Sequence, residues 1–141
     1  MIERPIEEEV VHDEIITLLK KSMYNYPNAT HPSLITFINH PLKNKVVIDP
    51  DGNELYPDIV IVNSTTNKVV MIGEVETPSS MNEIEVTQWR QFTRLSTVVY
   101  IFYPKGFYSR MSDLCKKVTV NGFFEYSKED NHYVIARKWP C

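Results

Sequence analysis

The chain has 141 residues, of which 43% are hydrophobic and 23% charged, with a formal net charge of −3. That composition excludes a disordered chain and suits one ordinary soluble domain, without internal repeats, spanning residues 1–141. Its longest apolar runs are strand-sized, which excludes a helical membrane span of about 20 residues, and the acidic start Met1-Ile2-Glu3-Arg4 lacks the basic-then-apolar order of a secretory signal. The expectation is therefore a cytoplasmic protein that does not engage a membrane. Two cysteines, Cys115 and Cys141, are too few and too separated for a disulfide framework; the first reads as a small core residue and the second as a frayed tail.

In chain order, Pro5 to Met23 predicts a helix opened by Pro5, with Glu7, Glu8 and Glu9 suited to the positive end of its dipole. Its apolar stripe runs through Val11, Ile15, Leu18 and Leu19, and at about 100° per residue Glu7 and Glu8 fall on that stripe one turn earlier while Glu9 points away. Residues 24–41 read as a loop, with Ser33 to Ile38 a short helix or sheet-edge piece. Val46 to Ile48 makes a short strand that ends at the turn Asp49-Pro50-Asp51-Gly52-Asn53; this is a plain turn, because a calcium loop would need further ligands and a closing Glu.

Two apolar strands follow, Asp58 to Val62 and Val69 to Glu76, joined by Asn63-Ser64-Thr65-Thr66-Asn67. Their continuous apolar runs predict burial on both faces of the sheet. Side chains alternate along a strand, so Glu74 and Glu76 point one way and Val75 the other, and a hairpin would stand Asp58 beside that pair. Carboxylates at the ends of buried strands are costly unless a cation meets them, and oxygen ligands of this kind suit Mg²⁺ or Mn²⁺. Asn82 to Leu95 predicts a second helix, Thr97 to Tyr103 the strongest strand of the chain, and Phe107 to Lys117 a third helix. Val118 to Val120, Gly122 to Tyr126 and Asn131 to Ala136 read as edge strands. His12, His31, His40 and His132 lack metal-ligand spacing and read as surface or loop residues.

Pro57-Asp58, an apolar strand, a turn, a second apolar strand and then Glu74-Val75-Glu76 resembles the PD-(D/E)xK nuclease superfamily, with fifteen residues between Asp58 and Glu74 and a match over about residues 5–120. The chain departs from the commonest form in carrying Glu76 where a lysine is usual, as some restriction endonucleases of the superfamily do. The resemblance implies a restriction-endonuclease-like three-layer α/β/α sandwich around a mixed β-sheet. It also implies a Mg²⁺- or Mn²⁺-dependent nuclease, with Asp58 and Glu74 as metal ligands and Glu8, or else Glu7, completing the set from the first helix. Glu76 would act as base or extra ligand. Gln88, four residues before Phe92, is similar to the Gln of RecB-like members that positions substrate or water.

Nucleic acid, DNA foremost, is the implied partner, and a homodimer is the arrangement analogy suggests for cutting both strands. The acidic total requires cations on one face, for which Lys43 and Lys45, Arg90 and Arg94, Lys105 and Arg110, Lys116 and Lys117, and Arg137 and Lys138 are candidates, Lys105 or Arg90 also for transition-state charge. One alternative is a nuclease-fold module without cutting activity that binds nucleic acid or a protein partner. The other is an unrelated α/β domain whose carboxylates face water.

Overall fold

A computed structural model describes residues 4–95 and 97–141. The fold is α/β: a mixed six-stranded sheet with three α-helices. Helix α1, Ile6–Lys21, precedes strand β1, Leu34–Ile38; a separate two-stranded ribbon of β2, Val47–Ile48, and β3, Glu54–Leu55, comes next. The central hairpin is β4, Ile59–Asn63, with β5, Lys68–Val75. Helix α2, Glu83–Thr93, strand β6, Val98–Pro104, helix α3, Tyr108–Leu114, and strands β7, Gly122–Glu129, and β8, His132–Arg137, complete the chain. The sheet order is β1-β4-β5-β6-β7-β8, parallel only at β5–β6 and β6–β7.

Alternation along β6 divides the core. Val99, Ile101 and Tyr103 pack with Val86, Trp89 and Phe92 of α2 and Met111 and Leu114 of α3, whereas Phe102 packs with Ile15, Ile16 and Leu19 of α1. Every one of these side chains is at most 2% exposed, and each contributes roughly 1.5–3 kcal/mol of burial if apolar. The continuous apolar runs of β4 and β5 are explained by the same division: Ile59, Ile61, Met71 and Val75 belong to the α1 side, Ile72 to the α2 side. Helix α2 starts where it does because Asn82 caps it, accepting from the Ile84 and Glu85 N–H groups.

Of the two readings of Ser33 to Ile38 the sheet-edge piece is the one formed, since β1 is an edge strand antiparallel to β4. Other expectations need correction. Residues 118–120 are not a strand; the chain instead docks through Asn121, whose side chain accepts from the Val99 N–H while its own N–H reaches the Val99 carbonyl. β7 is not at an edge, because β8 folds back on it through Asp130 and Asn131, both at positive φ (48° and 65°), as a two-residue hairpin turn requires. The C-terminus is not frayed. Trp139 packs edge-on against Phe123, Tyr103 Oη–H donates to the Lys138 carbonyl, and Cys141 forms a disulfide with Cys115 across 26 residues of sequence. Sequence separation misled here: the two Cα atoms are 6.0 Å apart.

The chain-entropy model values closure of such a loop at about 3–4 kcal/mol. Reductant, or Cys141→Ser, is therefore expected to lower the unfolding free energy by up to that amount in denaturant melts, and unchanged midpoints in both would show that the crosslink does not stabilise the fold. Among the described residues no helix is long and apolar enough to cross a membrane.

Candidate functional site

The start of β4, the end of β5 and the first turn of α2 bring together four carboxylates, Asp58 (4% exposed), Glu74 (5%), Glu76 (0%) and Glu85 (8%). Antiparallel pairing sets Ile59 opposite Gly73, which puts Asp58 beside Glu74, as the hairpin predicts. The charge of Asp58 is felt at Glu74 and raises its pKa. Asp58 Oδ2 also accepts the Val75 N–H at 2.8 Å, tying the end of one strand to the start of the other.

Glu76 continues the line of β5 by donating its N–H to the Phe102 carbonyl at 2.8 Å, while its own carbonyl accepts from Tyr126 Oη–H at 2.6 Å. Its carboxyl group accepts from Ser80 Oγ–H at 2.6 Å and from the Trp89 indole N–H at 3.0 Å. Trp89 is therefore both core and site: its ring fills the α2 side of the sheet and its polar edge meets Glu76.

Burial disfavours charge on all four carboxyl groups, and they then separate by neighbours. Glu74 is pushed well above the usual range by burial and then by the charge of Asp58. Glu76 is pushed up to about 8 by burial and then by Glu85. Glu85 is also raised, burial outweighing the opposing charge of Arg4. Asp58 runs the other way: burial is overcome by the charge and hydrogen bond of His12 and a further bond from His40, which hold it well below the usual range.

His12 corrects the reading of all four histidines as surface or loop residues, whereas His40 does lie in a loop and turns toward the site from it. His12 is fully buried on α1 with Nε2 3.1 Å from Asp58 Oδ2, and half-buried His40, after β1, brings Nε2 to 3.0 Å from Asp58 Oδ1. Burial lowers the basicity of His12, but Asp58 more than offsets it and the net direction is upward. His31 and His132 are exposed.

Other expected participants are placed differently. Glu8 lies toward the buried side of α1, but its carboxylate accepts from the Ser79 N–H at 2.9 Å and Oγ–H at 2.7 Å; burial is outweighed by these bonds and Arg4, and its pKa falls. Glu7 is exposed. Glu9, expected to point away, is half-buried with Oε1 3.9 Å from Nδ1 of both His12 and His40. Gln88 is half-buried on α2, one residue before Trp89. Among the candidate cations, Arg90 donates to the Lys117 carbonyl, Arg94 pairs with Asp51 and Arg110 donates to the Met81 carbonyl, whereas Lys105 is exposed. A cation that sequence reasoning missed is Arg4, whose guanidinium reaches Thr77 Oγ1 at 3.1 Å beside the end of β5.

Comparisons with protein-family models, with curated proteins and with solved structures found no match to this chain.

Proposed function

We propose that the protein is a divalent-metal-dependent nuclease of the PD-(D/E)xK type, its helices and mixed sheet forming a restriction-endonuclease-like three-layer sandwich. The observation that carries this reading is the convergence of buried Asp58, Glu74 and Glu76 at the ends of a single hairpin. An all-carboxylate donor set suits Mg²⁺ or Mn²⁺, and such an ion would be held by Asp58 and Glu74 with Glu76 as a further oxygen. When bound it would polarise a scissile phosphate and make a water nucleophilic near neutral pH.

The chain's own groups supply the rest. Glu76, with Oε2 held by Ser80 and Oε1 by Trp89, would take a proton in its ionised form. Arg4, next to the β5 end, supplies positive charge in place of the missing lysine, and Gln88 would help position substrate. Nucleic acid, DNA foremost, is the substrate class.

The test is cleavage of duplex and single-stranded DNA and RNA with Mg²⁺ or Mn²⁺. Asp58→Asn and Glu74→Gln should abolish cleavage while circular dichroism shows an intact fold, and Glu76→Gln should slow it by about 10²–10⁴-fold. A saturating ion should also stabilise the wild type by about 2.7 kcal/mol at 100 times its Kd. Cleavage absent from the wild type, or undiminished in all three variants, would overturn the reading.

One observation favours a second reading, a nuclease-fold module that binds nucleic acid or a protein without cutting: both Asp58 oxygens already meet imidazole Nε2 groups. Nucleic-acid binding retained by wild type and Glu74→Gln alike, with no cleavage by either, would select it.

A further inference from the structure

Behind Asp58 the two imidazoles create a second site of different chemistry. Glu9, His12 and Asp13 lie at i, i+3 and i+4 on α1 and share one helix face, while His40 approaches from the segment after β1. An ionised carboxylate only accepts hydrogen bonds, so the contacts of 3.1 and 3.0 Å to Asp58 make Nε2 the donor in both rings. In the neutral tautomer this leaves a lone pair on each Nδ1.

Both Nδ1 atoms are turned toward carboxylate oxygens. His12 Nδ1 is 3.1 Å from Asp13 Oδ1 and 3.9 Å from Glu9 Oε1; His40 Nδ1 is 3.9 Å from each of the same two oxygens. Four electron-rich atoms facing one another need a positive charge among them. All four ligand atoms lie within 4.8 Å of one another. A tetrahedral ion with bonds of about 2.0–2.2 Å holds its ligands roughly 3.3 Å apart, so small side-chain rotations close the gap.

We propose that His12 Nδ1, His40 Nδ1, Glu9 and Asp13 bind one Zn²⁺, with Asp58 as the carboxylate that orients both imidazoles. Two imidazole ligands select a transition ion over Mg²⁺ or Ca²⁺, and a carboxylate holding the far nitrogen of a ligating histidine is the usual outer partner of such an ion. The site is closed behind, where the His12 side chain is 0% exposed, and open in front, where the side chains of His40, Asp13 and Glu9 are 29, 39 and 42% exposed, so an ion can enter from solvent. Arg4 lies 4.0 Å from the other oxygen of Glu9 and limits the excess negative charge. This site does not depend on the nuclease reading and shares with it only Asp58 and the charge of Arg4.

The experiment is zinc titration of the full chain by calorimetry, with Co²⁺ absorption as a second readout of histidine ligation. The wild type is expected to take one Zn²⁺ per chain. His40→Ala and Glu9→Gln, both at partly exposed side chains, should each weaken it by at least about 10-fold with the fold intact by circular dichroism, and Asp58→Asn by about 10–100-fold. Glu76→Gln should leave zinc affinity unchanged while weakening any Mg²⁺ response, which separates failure of this site from failure of the nuclease reading. No stoichiometric zinc in the wild type, or wild-type zinc affinity in both His40→Ala and Glu9→Gln, would overturn the proposal and leave an imidazolium proton as the charge between these groups.

Discussion

Replacing Glu76 by glutamine is expected to raise the stability of the metal-free protein at pH 8 by roughly 2–4 kcal/mol and to flatten its pH dependence. Glu76 ionises near 4.5 in a solvated chain but near 8 in the fold, through burial first and the charge of Glu85 second. Between those values the folded state keeps a proton that the unfolded state has lost, so stability falls as pH rises. Each unit of pH across the window costs about 1.4 kcal/mol for one such group, and the gain quoted is less than the full span because buried carboxylates that share a field relax together.

Glutamine keeps the shape and the neutral hydrogen-bonding pattern. Its amide oxygen can accept the Trp89 indole N–H, and its NH₂ group can donate to Ser80 Oγ, the two partners Glu76 has now. Glu74, also raised, leaves a residual slope that Glu74→Gln should reduce further. Urea melts at pH 5 and pH 8 check this: the variant should match the wild type at the lower pH and exceed it at the higher. An equal difference at both would mean that Glu76 is ionised in the fold.

What the sequence revealed and what it hid follow from one physical distinction. Alternation along β5 is a local rule, so the common side of Glu74 and Glu76 and the opposite side of Val75 could be read directly, and the Asp58–Glu74 encounter followed from a tight hairpin. Phase along α1 was harder. The apolar residues alone give a stripe through Val11, Ile15, Leu18 and Leu19, of which Ile15 and Leu19 are buried, but the buried face also takes in His12 and Ile16 and leaves out Val11 and Leu18. The stripe is rotated because the N-terminal half of α1 packs on a charged site, and a hydrophobicity count treats His12 as solvent-facing.

Glu85 was hidden for a related reason. An acid in the first turn of a helix usually serves the dipole, and only the inward packing of Trp89 one turn later turns it toward Glu76. A sequence signal existed for this one: Glu85 and Trp89 are four residues apart and share a helix face. His40 and Cys141 had none, because each meets its partner through a contact between segments distant in sequence.

Asp58→Ala is expected to cost about 3–5 kcal/mol between pH 3.8 and 6.5, and less as pH rises through the folded value of His12. Asp58 faces His12 and His40 through its two oxygens, Glu74 beside it and the Val75 N–H, with Glu9 and Asp13 beyond the imidazoles. Because the folded His12 value is raised above the ordinary 6.5, its contribution is complete below that value and is lost as pH rises through the folded one. Because the folded Asp58 value is depressed below 3.8, its contribution is present above 3.8 and is lost as pH falls through the lowered one. Both are fully in force only between those limits, and the raised Glu74 and Glu76 weaken the fold in the same upward direction of pH, so the metal-free protein should be most stable on the acid side of neutrality. Alanine removes the buried partner of the His12 imidazolium there, leaving only the more exposed Asp13 and Glu9, and also leaves the Val75 N–H without an acceptor, a loss of about 1–3 kcal/mol that persists at every pH. As pH rises through the raised folded value of His12 its proton is lost, and the penalty falls toward this second part alone. Asp58→Asn, which keeps an acceptor for Val75 but not the charge, should lose the pH-dependent part alone. Denaturant melts of the three proteins from pH 5.5 up to about pH 10 resolve the two parts, and an alanine penalty that does not shrink anywhere in that range would show that the Asp58–His12 contact is not an ion pair.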